Sequence, residues 1–237
     1  MSLPVVRWPA PGPYEVAFST RLGGVSEPPF DSLNLGRLTA DEAPRVEENR
    51  RRLCAEVGAD PARLSFNRQV HGARLHKADP RARGRPGDGL WSDEPGVAMM
   101  AFTADCLPIV LTRADGAVPA LGVLHVGWRG LLDGIVAAGA SALGGGALRA
   151  VIGPGIGPCC YEVGDEVAAP FTEAFGAGVV TGGFLDLWTA AERALRAAGV
   201  ARVDRLDRCT ACSPQVFFSH RRDGGQTGRQ GVIAYVS

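Results

Sequence analysis

Two unbroken apolar runs constrain this chain most. Val97–Thr103 and Ala120–Val126 are continuous where a half-exposed strand would alternate, so each reads as a strand buried on both faces. Helical patterns lie between such runs. Asp41–Val57 repeats Val46, Asn49, Leu53 and Val57 at helical spacing, Leu131–Leu143 is Ala-rich and stops at Gly144-Gly145-Gly146, and Leu187–Ala198 stops at Gly199. Gly164-Asp165 can open a further helix through Phe171. Shorter strands are expected at Tyr14–Ser19, Leu64–Phe66, Ala73–His76, Leu148–Ile152, Val203–Leu206, Phe217–Phe218 and Val232–Val236, with a loop over Arg81–Gly89. Strands interleaved with helices give an α/β (α+β) class. No repeat or linker divides residues 1–237, so a single domain is expected.

The charge balance narrows the partners. Lys plus Arg and Asp plus Glu are 25 each, which gives no reason to expect nucleic acid. The first residues lack a charged head followed by an apolar run, and no stretch reaches the about 20 apolar residues of a membrane span. The expected address is the cytoplasm, where the six cysteines read as thiols or metal ligands.

Three segments share one grammar, an apolar stretch that runs into polar residues. Gln69-Val70 leads to His71-Gly72, Ala101–Ala104 to Asp105-Cys106, and Gly122–Leu124 to His125. If these are strand ends, His71, Cys106 and His125 meet at the rim of one sheet, where α/β folds build sites. Two imidazoles and a thiolate suit a catalytic zinc, which keeps a fourth position open. Asp105 is then an acid/base group or a hydrogen-bonding support for a ligand. On composition alone His76 or His220 could replace either histidine. Cys209-x-x-Cys212 suggests a redox or zinc-ribbon role, but no second pair lies at ribbon spacing and no thioredoxin-like frame surrounds it; lying outside the ligand set, both are expected to be dispensable for metal and activity. Cys159-Cys160 are adjacent, a poor geometry for a shared metal or a disulfide, and read as packing residues in a Gly/Pro-rich turn. Two Arg-Gly clusters, Ser19–Gly24 around Arg21 and Ser219–Gly225 around Arg221 and Arg222, could grip an anion or be solvated turns.

Taken in order, several stretches resemble one family. They are Phe18–Ser26, Pro29–Gly36, Glu48–Arg50, Gln69–Gly72, Thr103–Pro108, His125–Gly130, Ile152–Pro154 through Tyr161–Val163, and Phe217–Asp223. The chain resembles the YfiH-like family, also called multicopper polyphenol oxidoreductase or laccase-domain proteins and peptidoglycan editing factor. The resemblance implies one mixed β-sheet flanked by helices, similar to the catalytic domain of cytotoxic necrotizing factors. It implies zinc on His71, Cys106 and His125, with copper possible. It also implies phosphorolysis of adenosine, inosine and methylthioadenosine, and deamination of adenosine. Cys106, Asp105 and Arg21 are then the expected catalytic residues, with Arg21 on the attacking phosphate. Arg21, Asn34, Arg221 and Arg222 are expected to bind substrate. A purine nucleoside and phosphate are the expected partners and a monomer the expected state. The family names leave two alternatives, a hydrolase editing peptidoglycan precursors and a copper-dependent polyphenol oxidase. The second needs many histidines at a multicopper centre, and the chain has four.

Overall fold

The computed structural model describes residues 2–115 and 118–237. Its strands are β1 (Val5–Arg7), β2 (Tyr14–Ser19), β3 (Leu64–Phe66), β4 (Leu75–Lys77), β5 (Gly89–Ser92), β6 (Ala98–Thr103), β7 (Leu107–Arg113), β8 (Leu121–Val126), β9 (Leu148–Ile152), β10 (Val180–Thr181), β11 (Phe184–Leu185), β12 (Val200–Arg205) and β13 (Gln230–Val236). The α-helices are α1 (Ala43–Val57), α2 (Trp128–Leu132), α3 (Ile135–Ala142), α4 (Asp165–Phe175) and α5 (Leu187–Ala197).

Two mixed sheets form, where one was expected. The first runs β1-β2-β13-β6-β3 and the second β12-β9-β7-β8-β5-β4. They pack face to face. Phe18, Met99, Ala101, Val232 and Ala234 of the first sheet share a core with Leu90, Val110, Leu121, Val123 and Val151 of the second. Helix α1 covers the outer face of the first sheet with Leu53, Cys54 and Val57 against Ala17, Met100 and Ile233. Helices α3, α4 and α5 cover the second, burying Ile135, Phe171 and Leu195 against Ile109, Leu111 and Leu124. Each central strand is therefore dry on both sides, which is why β6 and β8 carry no polar alternation.

Strand β7 escapes the sequence reading because Pro108 stands second in it, and Pro within an apolar run argues against a central strand. The proline is tolerated where it sits: its carbonyl accepts from Gly153 N–H at 2.9 Å. The helix expected over Leu131–Leu143 breaks into α2 and α3 at Gly134, whose φ of +84° belongs to the left-handed region glycine tolerates. Phe217–Phe218 is no strand. The side chain of Gln230 takes the place of a neighbouring strand there, accepting from Phe218 N–H at 2.7 Å and donating to its carbonyl at 3.1 Å. Among the described residues no helix is long and apolar enough to cross a membrane.

Candidate metal centre and cavity

The site forms where the chain passes between the two sheets, not at the rim of one. Cys106 lies in the turn from β6 to β7, His125 near the end of β8, and His71 in the connection from β3 to β4. Strands β7 and β8 are antiparallel neighbours with Leu107 opposite Val126. That register sets Cys106 against the segment that follows His125. His71 arrives from the other sheet. The side chain of Gln69 moors its loop to β6, donating to Phe102 O at 2.7 Å and accepting from Phe102 N–H at 2.8 Å.

The three ligand atoms lie within 4.8 Å of one another, and the two imidazole rings meet edge to face at 4.9 Å. Geometry thus chooses among the histidines. His76 sits on β4 with its Nε2 3.0 Å from Pro86 O, and His220 lines the cavity without joining the ligand group. The donor set fits a metal. Burial pushes the Cys106 thiol up, but the charge of His125 and hydrogen bonds from both imidazoles outweigh it and favour thiolate. Burial alone pushes His125 down, yet Cys106 and Asp88 hold its pKa above the usual imidazole value.

Asp88 organises this centre, and nothing local in the sequence marks it. Its side chain is wholly buried and lies 2.8 Å from His125 Nδ1. That leaves Nε2 of His125 as the nitrogen free to face the metal. The same carboxylate accepts from the backbone N–H groups of Val70, His71 and Gly72, the last two at 2.9 Å. Those bonds hold His71 at φ +61°, an unfavourable conformation for a residue with a side chain. Asp88 hides in Arg-Pro-Gly-Asp-Gly, whose Gly and Pro content signals only a loop.

Gly127 makes room for two ligands. A Cβ there would lie 3.1 Å from both Cys106 Sγ and His71 Cδ2. Its backbone (φ −84°, ψ 170°) is open to any residue, so the constraint comes from the ligands. Gly127→Ala is expected to leave the fold intact and weaken metal binding about tenfold, as expected when ligand positions are disturbed; competition with a chromophoric chelator measures this.

The trio opens into a cavity of about 600 Å³. Apolar and aromatic groups line it, including Phe66, Phe102, Trp128, Ile156, Tyr161 and Leu187. Six arginines join them: Arg37, Arg50, Arg68, Arg129, Arg221 and Arg229. Among the described residues, Arg68, Arg129, Arg221 and Arg229 make no ion pair with a carboxylate. Arg129 lies over the Trp128 ring at 4.8 Å and Arg221 over the Tyr161 ring at 5.4 Å. Burial pushes the Tyr161 phenol up to about 12, so it remains a hydroxyl at neutral pH.

The other expected site residues divide. Asp105 lines the cavity, but its carboxylate accepts from Thr210 Oγ1 at 2.6 Å and Arg221 N–H at 2.7 Å. With φ at +91° it braces the turn that presents Cys106. Arg21 is absent from the cavity wall. Its guanidinium binds Asp31 and the carbonyls of Asp31 and Pro214, stacked over Phe218. Asn34 is fully buried and ties Gly36, Thr39, Asp41 and Arg229 together. Arg222 is held by Asp223 and the carbonyls of Thr210 and Phe217. Arg21, Asn34 and Arg222 are thus framework residues, each consumed by its own loop, whereas Arg221 stays at the cavity. The remaining cysteines gather in one place. Cys160 packs against the core of the second sheet, as a packing residue should, whereas Cys159 is exposed, and both approach Cys209 and Cys212.

Residues 15–237 match the family described as multi-copper polyphenol oxidoreductase laccase. The chain belongs to this family. Relatives in it include the purine nucleoside phosphorylase PA4543 of Pseudomonas aeruginosa, 40% identical over 97% of this chain and 96% of that protein. The purine nucleoside phosphorylase YfiH of Escherichia coli is 39% identical over 98% of both. Among solved structures, YlmD from Geobacillus stearothermophilus superposes with a TM-score of 0.89 at 33% identity, covering 98% of this chain and 96% of that one. A Neisseria meningitidis protein gives 0.90 at 30% identity over 100% of both chains. The two-sheet fold is therefore the family's own.

Proposed function

We propose that this protein is a zinc-dependent purine nucleoside phosphorylase acting on adenosine, inosine and methylthioadenosine, with hydrolytic deamination of adenosine as a second activity. The observation that carries this reading is one cavity combining a His-Cys-His trio, aromatic walls and four arginines that pair with no carboxylate among the described residues. The names of the curated relatives support it. The cytoplasm is the proposed setting, where reduced thiols are available as metal ligands.

In phosphorolysis a phosphate oxygen bonds to ribose C1′, the C1′–N9 bond breaks, and the purine leaves with the electron pair and takes up a proton. The dianion must enter a half-apolar cavity, which is costly without cations. Arg129 and Arg221 suit that task. Each lies over an aromatic face, and Arg221 also donates from Nη1 to Glu162 O at 2.8 Å, which fixes the guanidinium while its other N–H donors stay available to phosphate. The remaining aromatic surface of Phe66, Phe102, Trp128 and Tyr161 offers stacking for the purine. His71, Cys106 and His125 would hold a zinc ion, which would supply Lewis-acid charge beside the bound substrate. Asp88 and Asp105 keep the ligand-bearing turns in place.

The direct test incubates zinc-loaded protein with adenosine and phosphate. Adenine with ribose 1-phosphate supports the reading; inosine with ammonia reports deamination; intact adenosine overturns it. Removing a charged bidentate contact costs about 1.5–3 kcal/mol, roughly 10- to 150-fold. Arg129→Ala and Arg221→Ala are each expected to depress phosphorolysis by that factor through phosphate KM or kcat. Deamination, whose attacking water carries no charge to clamp, is expected to suffer much less. Equal losses in both reactions would place these arginines on the nucleoside instead.

A further inference from the structure

We propose that Cys159, Cys160, Cys209 and Cys212 form a second metal site, a closed four-thiolate centre for zinc that staples the wall of the cavity. The four Sγ atoms all lie within 4.8 Å of one another. Cys212 Sγ is 3.4 Å from Cys159 Sγ and 3.3 Å from Cys160 Sγ. A disulfide needs about 2.05 Å, so these are separate thiols in mutual contact. A tetrahedron with Zn–S bonds of about 2.3 Å sets its sulfurs about 3.8 Å apart, longer than the two closest pairs here and within the 4.8 Å that bounds the group. A polynuclear iron–sulfur cluster holds its cysteines farther apart, because sulfide bridges separate its irons.

The donors come as two pairs from two chain segments, Cys209-x-x-Cys212 at the usual structural-zinc spacing and Cys159-Cys160 adjacent to one another. Cys159 and Cys160 lie in the turn that follows β9, and Cys209 and Cys212 in the turn after β12. Strands β9 and β12 are parallel neighbours, so both turns leave the same end of the sheet. A backbone bridge then fixes their register: Gly155 N–H donates to Arg208 O at 3.2 Å, and Thr210 N–H to Gly155 O at 3.0 Å. Gly157 N–H donates to Cys209 Sγ at 3.3 Å, a bond that favours thiolate. Soft four-sulfur coordination selects zinc among common divalent ions. The centre adjoins the catalytic wall without sharing a ligand with it. Cys160 precedes Tyr161, which lines the cavity, and Cys209 precedes Thr210, whose hydroxyl donates to Asp105.

The two sites separate cleanly in a Cys106→Ala protein, which breaks only the cavity trio. Full-length wild type from zinc-supplemented medium is expected to hold about two zinc ions per chain, and Cys106→Ala about one. After chelation and refilling with Co²⁺, Cys106→Ala should show strong thiolate-to-cobalt charge-transfer absorption and tetrahedral ligand-field bands. Its thiols at these four positions should be shielded from alkylation until the metal is removed. Adding Cys212→Ser should abolish the cobalt bands. Cys106→Ala that stays folded but metal-free, with the four cysteines freely alkylated or found as a disulfide by mass, overturns the proposal. The Cys106→Ala readouts need no second substitution, so they decide the proposal even if the Cys212 variant misfolds. Failure of the phosphorolysis reading would not affect it, because no readout is activity.

Discussion

Cys106→Ala is expected to empty the cavity site and abolish turnover while leaving the protein folded. The side chain is small and stands in a turn between strands whose own contacts, Ala98–Thr103 against β13 and Leu107–Arg113 against β8 and β9, do not involve it. What it does supply is the only thiolate among three ligand groups. Two imidazoles alone, one of them on an exposed loop, are a weak chelate for zinc, and the catalytic pattern calls for three protein ligands. The Lewis-acid charge is worth several kcal/mol, so phosphorolysis is expected to fall by on the order of 10³-fold or more. Zinc in the cavity site should drop to under about a tenth of an equivalent. Circular dichroism, metal analysis and product chromatography on one preparation decide the matter. Wild-type turnover in the variant would remove the metal from the reaction.

Legibility differs by element for physical reasons. Strands β6 and β8 and the helices α1 and α5 follow from composition, because a strand dry on both faces and an amphipathic helix leave strong local patterns. Strand β7 is hidden by Pro108, and the pairing of the sheets by the fact that no local pattern states which apolar face meets which. The ligand trio is legible as types of residue at three strand ends, and the resemblance to a family singles it out from His76 and His220. The proposed anion ligands are legible only in part: the Ser219–Gly225 cluster points to Arg221, which does line the cavity, but nothing points to Arg129. Arg21 and Arg222 sit in turns that look like phosphate grips, yet each turn needs its own arginine to hold it closed. Arg129 stands in a motif that draws notice for His125. The four cysteines illustrate the same limit, since a Cys-Cys pair and a Cys-x-x-Cys pair 49 residues apart, from Cys160 to Cys209, reveal nothing until β9 and β12 pair.

Asp88→Asn is expected to cost both metal affinity and stability, with the two effects separable. The buried carboxylate spends its two oxygens on three backbone N–H groups of a part-buried loop and on the buried His125 Nδ1. Asn has the same shape but one acceptor oxygen, and its amide group meets donors with a donor. A stranded buried N–H costs about 1–3 kcal/mol, so a loss of that order in unfolding free energy should be measured by urea titration. For the metal, a lost carboxylate partner of a ligating histidine weakens binding about 10- to 100-fold. Burial would raise the Asp88 carboxyl, but the hydrogen bonds from His125, Gly72 and Val70 outweigh it and hold its pKa below the ordinary value. A carboxyl whose folded pKa is lowered stabilises the fold above the unfolded pKa of about 4, and that contribution disappears as pH falls through the folded value. The stability gap between wild type and Asp88→Asn should therefore be full at neutral pH and narrow in acid. A variant that loses stability but holds zinc as tightly as wild type would limit Asp88 to stapling the His71 loop. One that loses zinc with no change in stability would limit it to orienting His125.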